Sequence, residues 1–158
     1  MNRNCLVSLA ALFLAVSVSS AAEPIKVPLK DFKLKAKLDG TPDTLLGWDE
    51  TENKIFFYTF GLATAEVQFP DDGEYTIVIE ASCDEAKKEK AKIKVTLGDD
   101  VVTKEFELKE TTAKEYSFPV KAKKGSPKLV IEFLNDEFKE GEFDRNLYLH
   151  AVKIEKKK

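Results

Sequence analysis

The stretch VQFPDDGEYTIVIEAS, Val67 to Ser82, decides the fold. A hydrophobic run ends at Pro70, the turn formers Asp71, Asp72 and Gly73 follow, and apolar side chains then recur at every second position: Tyr75, Ile77, Ile79 and Ala81. A period of two puts those four on one face of a strand, where aromatic and β-branched residues suit a pleated, half-buried surface. The 3.6-residue period of an amphipathic helix is not sustained over a useful length of the chain.

The same alternation extends outward on both sides. DFKLKAKL, Asp31 to Leu38, sets Phe32, Leu34, Ala36 and Leu38 on one face. AKIKVTL offers Ile93, Val95 and Leu97, and the turn at Gly98, Asp99 and Asp100 leads back into VVTKEFEL. EYSFPVKA presents Tyr116, Phe118 and Val120, and KLVIEFL and LYLHAVKIE supply the last two strands. TPDTLLGWDETEN reads as a loop holding the sequence's one Trp, followed by a buried strand from Lys54 to Phe60 with aromatics on both faces. DEAKKEK, Asp84 to Lys90, is a solvated loop or a helical turn. Strands at spacings of roughly ten to fifteen residues without intervening helices predict an all-β fold, a single-domain antiparallel β-sandwich of jelly-roll type with about eight or nine strands.

At the N-terminus, Arg3 precedes an apolar run from Leu6 to Val18 and small residues ending at Ala22, the anatomy of a secretory signal peptide. Residues 1–22 are therefore expected to be removed, with a cut after Ala22 or Ala21, leaving a secreted domain over 23–158 with no membrane span. Loss of Arg3 moves the net charge from -3 to -4, because the segment holds no acid. A mildly acidic domain argues against nucleic acid, which needs a basic stripe, and acidic carbohydrate is not favoured either. Cys83 is the one thiol left after cleavage, so no internal disulfide is available, and a small hydrophobe packed beside a strand end is its expected role. A monomer is expected.

LNDEFKEGEFDRNLYLHAV, Leu134 to Val152, packs Asp136, Glu137, Glu140, Glu142 and Asp144 between two hydrophobic runs. Carboxylates gathered on one loop repel unless a counter-ion sits among them, and hard oxygen ligands suit calcium, with Gly141 giving the backbone freedom to wrap a cation. The spacing is not that of an EF-hand, and His150 and Cys83 are too isolated for zinc. On composition alone, a solvated hairpin loop and a metal site both remain open.

The order of residues says more. FLND, Phe133 to Asp136, followed seven residues later by DRNLYL, Asp144 to Leu149, resembles the C-terminal signature of the calcium-dependent xylan-binding carbohydrate-binding modules. VQFPDDGEYTIVIEAS, KIKVTLGDDVVTKEFEL and KAKKGSPKLVIEFLND are similar to that family's strand, turn and hairpin order, so the likeness covers about Ile55 to Glu155. It implies a loop-bound calcium ion with open positions that vicinal sugar hydroxyls fill, and a xylan-like polysaccharide as partner. Carried over by position, Asp136 and Asp144 are side-chain ligands, the backbone carbonyl near Phe143 completes the set, and Glu142 lies within reach. Asn135, Phe138, Tyr58 and Trp48 are candidates for sugar contact, and Arg145, Asn146 and Gly141 for support of the loop. The chain departs from the family pattern at Phe60 and at His150, two positions that bear on ligand specificity.

Three function classes follow. A non-catalytic module binding polysaccharide through calcium is the first, and an envelope or interaction module with calcium as a structural clip is the second. Catalysis is the third and has little support: Asp136 and Asp144 share one acidic loop without an apolar pocket to raise either pKa, and no nucleophile elbow is present.

Overall fold

A computed structural model describes residues 23–157. The expected signal peptide, 1–22, lies outside the described residues. Thirteen strands run in order: β1 (Ile25–Lys26), β2 (Lys33–Ala36), β3 (Leu46–Asp49), β4 (Lys54–Phe57), β5 (Gly61–Glu66), β6 (Gly73–Cys83), β7 (Lys92–Leu97), β8 (Asp100–Glu107), β9 (Lys114–Ala122), β10 (Lys128–Phe133), β11 (Glu137–Lys139), β12 (Phe143–Arg145) and β13 (Leu147–Lys156). One sheet has the order β3-β4-β13-β6-β9, with β1 added beside β13; the other is β2-β5-β10-β7-β8; β11 and β12 form a separate hairpin. All pairings are antiparallel.

The alternation read from the sequence is what packs the two sheets. Ile77, Ile79 and Ala81 of β6, Leu147 and Leu149 of β13, and Ile55 and Phe57 of β4 are fully buried from one side; Ile93 and Val95 of β7 and Leu129, Ile131 and Phe133 of β10 meet them from the other. Glu74, Thr76, Glu80 and Ser82 take the opposite face of β6, as a period of two requires. Cys83 is buried at the end of that strand, its Sγ 3.7 Å from the carbonyl of Glu110, in the packing role expected of it.

The fold class is as expected, and the strand count exceeds the expected eight or nine because short elements carry little periodic signal. β4 stops at Phe57 instead of Phe60, since Tyr58–Phe60 is the segment by which the chain crosses to the second sheet. Gly61 permits that crossing: a Cβ there would stand 2.8 Å from Leu46 Cδ2. β5, with Ala63 and Ala65 as its buried residues, has no bulky side chains to announce it. Leu38 does not share the face of Phe32; β2 ends at Ala36 and Leu38 is 57% exposed. The Asp84–Lys90 segment is a loop closed by a bridge between Ala86 and Glu89.

Candidate functional site

The acidic segment between β10 and β13 is itself a small hairpin. β11 and β12 pair Glu137 with Arg145, Phe138 with Asp144 and Lys139 with Phe143, and Gly141 takes φ +72° in the turn between them. In a paired ribbon successive side chains point to opposite faces. Asp136, Phe138, Asp144 and Asn146 therefore share one face, and Leu45, Tyr58, Thr59 and Tyr148 join them around an open cavity of about 500 Å³.

The odd-numbered residues of the ribbon face the Asp84–Lys92 segment and fasten the hairpin to it. Arg145, 3% exposed, donates from Nε to the carbonyl of Glu89 and from its two Nη atoms to the carbonyls of Asn135 and Ala86. Asn135 accepts the backbone N–H of Lys92 at 2.7 Å and donates to the carbonyl of Lys90 at 3.0 Å. Glu137 pairs with Lys87, whose Nζ also stands 5.0 Å from the centre of the Phe143 ring.

The picture of carboxylates crowding one loop is thus corrected. Glu137 is drawn off by Lys87 and Glu142 by Lys139, both pairs formed within or beside the hairpin and away from the cavity. Among the described residues, no group of three or more His, Cys, Asp or Glu side chains comes together as a metal cluster. Of the expected metal-binding side chains, only Asp136 and Asp144 share the cavity, and of the expected sugar-contact residues only Tyr58 and Phe138 do. Asn135 is committed to backbone bonds, and Trp48 lines a different cavity with His150.

Sequence comparison bears directly on this arrangement. The sequence model of the family described as Ca-dependent carbohydrate-binding module, xylan-binding (CBM60), matches residues 76–158, which include most of β6, the hairpin and β13. The chain belongs to that family. As a carbohydrate-binding module it is non-catalytic. No curated protein sequence matches the module significantly. Among solved structures, it is similar to the family 35 carbohydrate binding module from Clostridium thermocellum, with TM-score 0.59 and 13% identity over 84% of this chain and 98% of that one. It is also similar to the mannan binding module from Man5C, with TM-score 0.56 and 14% identity over 83% and 97% of the two chains. A third is the C-terminal CBM6 of LamC from Zobellia galactanivorans, at TM-score 0.55 and 11% identity over 85% and 100%. At these identities the likeness establishes the β-sandwich fold alone.

Within the module's cavity the electrostatics are unbalanced. Contrary to the expectation that nothing in the loop would raise either carboxyl, burial, and then the charge of Asp144, push the Asp136 carboxyl up to about 6, against the opposing pull of the Glu137 N–H and of Arg145. Asp136 Oδ1 is buried without a hydrogen-bond donor, and so is Asn146 Oδ1. Asn146 cannot turn that oxygen to a new partner freely, because its Nδ2 is held 3.0 Å from Asp84 Oδ2. The same Asp84 oxygen accepts the Tyr148 hydroxyl at 2.8 Å, and burial followed by that hydrogen bond raises the phenol well above its ordinary range. Two orphaned oxygens and the exposed Asp144 carboxylate form an acceptor-only set, which is the donor chemistry a hard divalent cation takes.

Asn146 reads from sequence as a loop tie, and here it is both a tie and a residue of the cavity wall. Asp84 and Thr59 went unread as site residues; they lie far from the acidic stretch in sequence, and nothing in their local pattern distinguishes them. Tyr58 is flanked by Phe56, ring centres 4.8 Å apart, and by Tyr148 edge-on at 6.1 Å, so its 39% exposed ring is held in place as one wall. Phe138, 67% exposed, stands on the hairpin as another.

Proposed function

We propose that this is a secreted module that binds xylan or a related polysaccharide through one calcium ion held between the hairpin and β13. Asp136 and Asp144 are its carboxylate ligands, Asn146 Oδ1 its amide ligand, and the carbonyl of Phe143 a backbone ligand. When bound, the cation supplies open coordination positions that take two neighbouring hydroxyls of a sugar, the chemistry by which a loosely coordinated hard ion reads a diol. The chain's own residues do the rest. Tyr58 and Phe138 offer flat apolar faces to the sugar ring, Thr59 lines the floor, and Asp84 fixes Asn146 and Tyr148 in one orientation. The shallow, open cavity implies weak affinity that gains strength by avidity on a polymer.

The observation that carries this reading is that Asp136 and Asn146, each with a buried Oδ1 that lacks a donor, line one cavity together with Asp144. A protein keeps such an arrangement at a cost in stability unless something positive occupies it. The reading of calcium as a structural clip alone has less support, because Arg145 already fastens the hairpin through backbone carbonyls without a metal. Isothermal titration with xylo-oligosaccharides in calcium buffer, repeated with chelator, is the test. Heat that saturates in calcium and vanishes with chelator is expected; no heat in calcium ends the proposal.

A further inference from the structure

A second cavity, of about 420 Å³, opens where the sheet partners of β13 change from β4 to β1. β4 pairs with β13 only up to Leu149 and β1 only from Lys153, and the ladder to β6 shifts register between Leu149 and Ala151. His150 is the extra residue of that bulge. The gap is bordered by residues 26–30, by Trp48 and Asn53 of β3 and the turn after it, and by residues 150–153. It shares no residue with the calcium cavity.

Its lining is unlike the rest of an acidic molecule. Lys26, Lys30, Lys153 and His150 contribute to it, and no Asp or Glu does. Lys153 is already engaged by Glu115 at 3.0 Å and Glu155 at 3.2 Å, but among the described residues neither Lys26 nor Lys30 has a carboxylate partner. Lys26 also sits directly across from Lys153 in the ladder, and because the two carboxylates beside Lys153 are taken up by it, Lys26 and Lys30 are the cations left to a ligand. Trp48 Nε1 is buried with no acceptor, and the lysine ammonium groups around it are donors only. His150 lines the cavity with its Nε2 taken by Ser82 Oγ at 2.7 Å. The remaining wall, from Val27, Pro28 and Ala151, is apolar and matches the C–H face of a pyranose better than a bare inorganic ion.

We infer that this cavity is a second, calcium-independent sugar site that takes a carboxylated sugar, a uronate unit of an acidic polysaccharide. Lys26 and Lys30 pair with the carboxylate, the Trp48 N–H donates to a ring substituent, and the apolar wall receives the ring. The net acidity of the chain argues against acidic carbohydrate only on average; a local cluster of uncommitted cations reverses that at one spot.

Trp48 is the one tryptophan of the sequence, so its emission reports on this site alone. The experiment titrates the full domain, in chelator to silence the calcium site, with glucuronate, a galacturonate trimer, xylotriose and a sulfated oligosaccharide. Saturable change with the two uronates and none with xylotriose is expected. In a Lys26→Gln/Lys30→Gln variant, whose exposed positions leave the fold intact, the uronate response weakens by about tenfold or more. Trp48→Phe, followed by calorimetry, keeps an aromatic side chain and loses the N–H, and also binds the uronates more weakly than the parent protein. Absence of any saturable response, an equal response to xylotriose, a preference for the sulfated sugar, or indifference to loss of the two lysines overturns the inference.

Discussion

Cys83 shows how far a single residue's environment governs its chemistry. The thiol lies at the buried end of β6, and burial, its largest influence, raises its pKa above the ordinary 9.0 despite a hydrogen bond from the Ala91 backbone. A thiol raised in the folded state favours the neutral form, so its contribution to stability is unchanged below pH 9 and declines as pH rises past the unfolded value. The expected outcome is slow modification: at pH 8, Ellman's reagent should react with the native protein on the order of a hundredfold more slowly than with the urea-unfolded chain. Equal rates would mean that the end of β6 is open. Asp136 illustrates the same point in the other direction, since its placement, not its identity as one acid among five, is what singles it out. Charge counting along Asp136–Asp144 cannot separate it from Glu137 or Glu142, whose lysine partners are set by the fold.

Among the elements, the β11–β12 hairpin is where sequence reading fell shortest and where a stricter one would have succeeded. Read as a loop, Asp136 to Asn146 is a bag of acids; read as a ribbon with Gly141 at its tip, it separates by parity into the cavity residues 136, 138, 144 and 146 and the anchoring residues 135, 137, 143 and 145. The long strands are legible because β6, β7 and β9 each repeat a bulky apolar residue at every second position, as β13 does on either side of its bulge. β5 is not, because Ala63 and Ala65 bury too little to stand out. The bulge in β13 was visible in principle, since the buried positions step from Leu147 and Leu149 to Val152 and Ile154, a slip of one in the alternation. Arg145 gives the element-scale prediction. Its buried guanidinium satisfies three carbonyls from two segments, so Arg145→Ala leaves them orphaned and should cost about 3–5 kcal/mol in urea unfolding, less than the simple sum because the segments relax. Arg145→Lys retains the charge without the fork and should recover only part of that loss. Hydrogen exchange should quicken first at Glu137–Lys139 and Ala86–Lys92; a loss spread evenly over both sheets would contradict the anchoring role.

For the whole molecule, the two sheets form a core that is complete without any ligand, while the cavity lined by Asp136, Asp144 and Asn146 is left with oxygens that lack donors. Stability and function are therefore separable, and the separation can be measured. A cation that binds the native state but not the unfolded one stabilises by mass action, about 2.7 kcal/mol at a hundredfold excess over its Kd, or roughly 8 °C in melting temperature for a domain of this size. Chelator should remove that increment and leave a single cooperative transition, because no core residue depends on the ion. Asp136→Asn provides the control. It relieves the repulsion with Asp144 and removes a charge that the proposed cation would pair with, so its melting temperature in chelator should equal or exceed that of the parent protein, whereas calcium should raise it little or not at all. A parent protein whose melting temperature ignores calcium, or an Asp136→Asn variant that still gains the full increment, would place the cation elsewhere or nowhere, and the orphaned oxygens would then need a different partner.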